Sequence, residues 1–281
     1  MRIARVAYAG ATRYGEVRGE DFQPFTASTL SDVMSDSPGR DQIRIPMDTV
    51  KLLAPVPKPG KLVGIGLNYR DHCEEQRIPV PSRPIIFGKF SSSIADPQGV
   101  VRRPSETVEL DFEVELAVII GRACHDVSVD RALDFVYGYT VFNDISARDL
   151  QFGDGQWTRG KSFPTFGPMG PWITTADEIA NPQDLPLRLT VNDTVMQDSN
   201  TSHMIFGVAE LISFVSRLGL DAGDVIATGT PAGCGSFRRP PIFLQPGDRV
   251  CASIAGLGQL DNIVTDAHAG QSESYSAPDG H

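Results

Sequence analysis

Long apolar runs are missing from this sequence. The longest strongly hydrophobic stretch, Leu116–Ile120, is strand-sized, whereas a membrane-spanning helix needs about 20 residues. Cysteine is scarce: Cys73, Cys124, Cys234 and Cys251 stand singly, with no Cys-x-x-Cys spacing. That excludes a zinc ribbon and a dithiol redox motif, and it suits a reducing, cytoplasmic setting. The first ten residues carry early positive charge without a continuous apolar segment, so they read as a first strand rather than an export signal. Basic residues are also in deficit, 25 Lys and Arg against 35 Asp and Glu, for a net charge of −10. With no Lys/Arg stripe to offset it, this charge repels nucleic acid and acidic membrane surfaces. An anionic ligand would need a local positive site.

What is present is the composition of an ordinary globular protein, 41% hydrophobic and 21% charged over 281 residues. Residues 1–55 read as a small N-terminal β-containing domain. The segment Ala54-Pro55-Val56-Pro57-Lys58-Pro59-Gly60 then acts as a linker, because prolines at alternate positions hold the chain extended. From 56 to 265, strands alternate with short helices: a strand at Lys61–Ile65, a helix over Tyr69–Gln76 capped by Asn68, and a long strand at Leu110–Ile120. A strand at Val136–Asn143 leads into a helix just past Asp144, and a further helix spans Met204–Arg217. Strands outnumber helices, which predicts a β-rich α+β fold. The polar stretch 266–281 reads as a disordered tail.

In Glu109-Leu110-Asp111-Phe112-Glu113-Val114-Glu115-Leu116, acidic and apolar residues alternate, so a strand would line up four carboxylates on one face. A lone Glu-x-Glu would be a solvated edge strand. Here the pattern runs straight into the apolar Leu116–Ile120, and carboxylates entering such a core need a cation. Oxygen-only ligands suit Mg²⁺, Mn²⁺ or Ca²⁺ rather than zinc. Asp144, at a strand end, could supply a third carboxylate or simply cap a helix. Arg148 and Gln151 share one face of that helix, although Arg148 could equally pair with Asp149 on the surface. His72 and Glu75, three apart on a short helix, can form an acid/base pair or a solvated face.

Gly155-Gln156-Trp157-Thr158-Arg159-Gly160-Lys161-Ser162 matches the phosphate-loop string. The prolines and glycines that follow forbid the helix such a loop requires, which leaves Lys161 as a cation on a glycine-flanked loop. Gly229-Thr230-Pro231-Ala232-Gly233 is an open turn with a hydroxyl and free N–H groups.

Several ordered segments resemble the fumarylacetoacetate hydrolase family over roughly residues 55–265: Gly66–His72, Pro84–Lys89, Asp111–Leu116, Asn143–Asp149, Gly160–Phe163 and Thr228–Gly233. The resemblance implies a mixed β-roll catalytic domain, a homodimer, and Mg²⁺ or Mn²⁺ held by Glu113, Glu115 and Asp144. It also implies His72 and Glu75 as acid/base dyad, Lys161 as electrostatic helper, and Arg148, Gln151 and Thr230 near a small anionic 2-oxo acid. Pro164, where many members carry Asp, together with Gln156-Trp157-Thr158 and Arg238-Arg239-Pro240-Pro241, is similar to the branch that hydrolyses diketo-deoxy sugar acids. The expected reaction is hydrolysis of a carbon–carbon bond in a 2,4-diketo acid. The alternatives are an oxaloacetate-type decarboxylase or tautomerase, an isomerase of 2-hydroxyhepta-2,4-diene-1,7-dioate, a catalytically silent metal-binding protein, or a nucleotide-binding protein.

Overall fold

Arg2–Tyr8 and Ala11–Arg18 bury their middle residues and pair antiparallel through Ala9 and Gly10. Both turn residues have positive φ, the geometry that matches the twist of a two-residue hairpin. The computed structural model describes residues 1–35 and 38–267. Arg2–Tyr8 also pairs with Gly167–Thr175, so the N-terminal hairpin continues into the sheet of the larger unit. Among the described residues that sheet has 12 strands. Val114–Ile120 sits near its middle, between Val136–Asn143 and Val225–Ala227, and every one of its residues is buried. Leu62–Gly66 and then Ile85–Lys89 complete one end. A second sheet of five strands, from Thr194–Asn200 to Val100–Arg103, packs its apolar residues into the same core.

Several sequence expectations shift, each for a local reason. The long strand at Leu110–Ile120 is two pieces, Leu110–Asp111 and Val114–Ile120, interrupted at Phe112 and Glu113. Its antiparallel register is the same on both sides of the gap: Leu110 faces Ala147, Asp111 faces Ser146, and Val114 faces Asn143. The helix expected just past Asp144 begins at Arg148, because Ser146 and Ala147 are still paired as strand. Asp144 therefore caps nothing. Asn68 is not a cap either: its amide donates to the Phe206 and Thr228 carbonyls and its oxygen accepts from Phe206 N. Trp157–Lys161, read as a loop, is a five-residue helix whose N-terminal cap is Gln156. The later helix is shorter than Met204–Arg217 and spans Val208–Ser216, starting where Glu210 caps the Gly207 N–H. All but two residues of the 266–281 tail lie outside the described residues; Asp266 closes a strand and Ala267 donates to Arg103 O.

Candidate active site

The shared register explains how three carboxylates meet. Side chains two apart on a strand point to one side, which brings Glu113 and Glu115 together. Register continuity sets Glu113 opposite Asp144, whose N–H donates to the Glu113 carbonyl at 2.9 Å. Asn143 replaces the missing ladder bond, its Oδ1 accepting from Glu113 N at 3.0 Å. Ligand atoms of Glu113, Glu115 and Asp144 all lie within 4.8 Å of one another, and all three residues are buried.

Like charges facing across a strand pair repel, so cations must be built in. Lys161 Nζ donates to Glu113 Oε2 and Asp144 Oδ2, each at 2.8 Å, and to Ser146 Oγ at 2.7 Å. Arg148 reaches Asp111 through Nε at 2.9 Å, Glu113 through Nη2 at 2.6 Å, and Gln151 Oε1 through Nη1 at 2.9 Å. The surface pairing of Arg148 with Asp149 does not form; Asp149 instead accepts from Thr107 and Val108.

Two contributors escaped the sequence reading. Lys89 is 4% exposed and donates to Asp144 Oδ1 at 2.5 Å, to Phe166 O at 3.1 Å and to Lys161 O. A lysine ending an edge strand reads as solvated, and nothing local marks it otherwise. Asp111 accepts from Arg148 and from the N–H groups of Gly235 and Ser236, tying the 229–244 segment to the site. Its place in the acidic alternation was the available signal. Glu109, the fourth acid of that pattern, is half-buried and outside the cluster.

The electrostatics are unbalanced in an informative way. Burial would raise the Glu113 carboxyl, but Arg148 and Lys161 outweigh it and hold it at about 2. Glu115 is driven well above its ordinary value by burial and by the charges of Asp144 and Glu113, against which Lys161 and the Gly229 N–H are insufficient. Burial opposes the Lys161 charge, yet Asp144 and Glu113 raise its pKa. Asp111, Glu113, Glu115 and Asp144 thus face three buried cations, Lys89, Arg148 and Lys161. The uncompensated acid is Glu115, next to the carboxylates of Glu113 and Asp144. Hard oxygen donors lacking one positive partner fit a divalent cation.

Across a cavity of about 70 Å³ lined by Glu113, Glu115, Arg148, Gln151, Lys161 and Thr230 stands His72. Its Nδ1 lies 3.2 Å from Glu75 Oε2, and Glu75 in turn accepts from Gly233 N at 3.1 and 3.2 Å. The turn that sequence left open therefore holds the dyad's carboxylate. The Thr230 hydroxyl donates to Val114 O at 2.9 Å and accepts from Gln197 at 2.8 Å, which fixes this turn against the ligand strand. Phe87, Phe152, Trp157 and Phe237 supply the apolar walls. Of the residues suggesting a sugar-acid branch, Trp157 lines the cavity; Pro164 is exposed, and Arg238 is spent on the Gly233 and Met196 carbonyls.

Residues 61–265 match the description "Fumarylacetoacetate (FAA) hydrolase C-terminal". The chain belongs to this family. Residues 1–55 match the description "Rv2993c-like, N-terminal". Oxaloacetate tautomerase FAHD2A, mitochondrial, of Bos taurus is 48% identical over 223 residues, 78% of this chain and 71% of that one. Among solved structures, a fumarylacetoacetate hydrolase from Exiguobacterium antarcticum is 37% identical with a TM-score of 0.87, over 95% of this chain and 99% of that one. A 2-hydroxyhepta-2,4-diene-1,7-dioate isomerase from Mycobacterium marinum is 37% identical with a TM-score of 0.83, over the same shares, 95% and 99%. The strand-rich α/β fold with its small N-terminal β unit is that of the family. Among the described residues, no helix is long and apolar enough to cross a membrane.

Proposed function

We propose that this member is a divalent-metal-dependent enzyme that interconverts the enol and keto forms of a small 2-oxo dicarboxylic acid of the oxaloacetate type. The observation that carries the reading is that His72, backed by Glu75, lines one small cavity with Glu113 and Glu115 of the three-carboxylate cluster. Enolisation needs a base and a fixed positive charge. Hydrolysis needs an attacking water as well. The name of the bovine relative supports placing tautomerisation ahead of the carbon–carbon hydrolysis that the sequence put first.

A divalent cation on Glu113, Glu115 and Asp144 would supply Lewis-acid stabilisation of the enolate charge. His72 removes the proton from the carbon between the carbonyl and the distal carboxylate, and Glu75 steadies the imidazolium so formed. Lys161 adds positive charge beside the developing oxyanion. Gln151, its oxygen held by Arg148, keeps its N–H groups for the substrate. His72 then returns the proton to carbon or oxygen, completing the exchange.

The test follows the decay of the enol absorbance of oxaloacetate with and without Mg²⁺ or Mn²⁺. A metal-dependent acceleration that falls about 100-fold or more in His72→Gln is expected. Equal rates for both proteins would refute the assignment of the base. Two acid products from an acylpyruvate would instead favour hydrolysis, the activity named for the Exiguobacterium structure. We also propose a homodimer, supported by the apolar edge of Ile85, Ile86 and Phe90, the last 63% exposed. Sedimentation at the mass of two 30.4 kDa chains is the expected result.

A further inference from the structure

We propose that Gln76 is a positioning residue for the base: its carboxamide holds the Nε2 lone pair of His72 in the cavity until a substrate proton takes its place. The proposal rests on the reading of His72 as base. His72 and Gln76 are four apart on the helix Arg70–Gln76 and so share a face. Gln76 Nε2 lies 2.7 Å from His72 Nε2. With the carboxamide oriented as it is here, its nitrogen faces the ring and donates, which makes the ring nitrogen an acceptor that carries no proton. The neutral ring then bears its proton on Nδ1, aimed at Glu75 Oε2. Partners on the two ring nitrogens thus select the same tautomer.

The surroundings leave this role to Gln76 alone among the described residues. The acids around the imidazole are Glu75 on Nδ1, Asp71 accepting from the His72 backbone N–H, and Glu113, whose carboxyl feels the His72 charge, while the cations of the same cavity, Arg148 and Lys161, donate to Asp111, Glu113, Gln151, Asp144 and Ser146. Phe237 presents its ring at 5.4 Å and 75° to the imidazole and offers no donor. Gln76 is half-buried and lines the same cavity as His72, Glu113 and Glu115, so its amide can swing aside without repacking. When substrate enters, the amide N–H···Nε2 bond breaks and the substrate's carbon-bound proton faces the same lone pair. That proton moves to Nε2, its bonding pair stays on the substrate as the enolate, and Nδ1–H remains on Glu75. No change of tautomer is needed at the moment of transfer.

The experiment records the imidazole ¹⁵N resonances of the full chain labelled with ¹⁵N-histidine, at alkaline pH where the ring is neutral, with His72 assigned by its absence in His72→Asn. The expected spectrum has Nδ1 protonated and Nε2 an unprotonated acceptor. Gln76→Leu, of similar size but without a donor, should move Nε2 to the value of a free lone pair and leave Nδ1 in place. Gln76→Glu should leave Nε2 protonated, since a carboxylate can only accept. In turnover, Gln76→Glu is expected to lose about 100-fold or more in kcat and Gln76→Leu less than about tenfold. A protonated Nε2 in the wild type, an Nε2 shift indifferent to Gln76→Leu, or equal kcat losses in the two variants would overturn the proposal. The spectrum decides the positioning role whether or not the chain enolises oxaloacetate.

Discussion

Glu113 and Glu115 stand two residues apart on one run of chain yet are pushed in opposite directions. Glu113, held at about 2, is an ion locked to Arg148 and Lys161. Glu115, raised well above its ordinary value by burial first and by Asp144 and Glu113 next, holds its proton to higher pH than an ordinary carboxyl when no further cation is present. A glutamine imitates a protonated glutamate, so the two isosteric substitutions should differ. Glu113→Gln is expected to destabilise the metal-free protein by about 1–3 kcal/mol, because Arg148 and Lys161 each lose a charged partner and keep only Asp111 and Asp144. Glu115→Gln should leave metal-free stability close to wild type while weakening Mg²⁺ or Mn²⁺ binding at least about tenfold. Denaturant unfolding in chelator and calorimetric metal titration distinguish them. The raised pKa also fixes a sign: above pH 4.5, the ordinary value for the Glu115 carboxyl, the folded state holds a proton that the unfolded state has lost. Metal-free stability should therefore fall as pH rises towards the raised pKa, and Glu115→Gln should remove that fall.

At the scale of elements, the seven-residue helix Arg70–Gln76 that carries the proposed base is too short to persist by itself. Tertiary contacts hold it: Asn68 bonds to Phe206 and Thr228, Glu75 to Gly233, and Asp71 to Ser199. Its last turn closes on Arg77, whose left-handed conformation lets its N–H reach back to the Cys73 and Glu74 carbonyls. Asn68→Ala removes three hydrogen bonds from a side chain that is wholly buried. We expect a loss of about 1–3 kcal/mol in unfolding free energy, together with a raised KM and a metal affinity within about threefold of wild type, since no ligand is touched. A fall in metal affinity as large as that of Glu115→Gln would contradict this division of labour. Gly229 shows the same economy of space: its φ is +95°, a Cβ there would lie 2.8 Å from Asn68 Cβ, and its N–H serves Glu115.

For the whole molecule, the candidate metal site joins Glu113 and Glu115 to Asp144 on a neighbouring segment, so a bound cation should stabilise the entire core. At a metal concentration about 100 times Kd, linkage gives about 2.7 kcal/mol, which for a core of this size is a rise in Tm of roughly 5–10 °C. A thermal scan with and without chelator checks it. Unchanged melting would mean that the carboxylates hold no ion. The net charge of −10 belongs to the same argument. For the acid substrate proposed above, an acidic protein must concentrate positive charge locally; Arg148 and Lys161 do so on the cavity wall and Lys89 does so outside its lining.

The sequence by itself determined what depends on local periodicity. The period of two places Glu113 and Glu115 together, the helical period joins Arg148 to Gln151, and the Leu116–Ile120 run goes to the middle of the sheet. Spacing likewise put His72 within reach of Glu75. What only the tertiary structure decided depends on register and on contacts across many residues. The pairing of Val114 with Asn143 brings Asp144 to Glu113, the 163–166 turn and Lys161 backbone wrap Lys89, and the Gly233 N–H reaches back to Glu75. Each joins segments whose separation carries no periodic signal. The break at Phe112 and Glu113 was hidden for the same reason: a ladder that opens to admit a carboxylate pair keeps the alternation of the strand it interrupts.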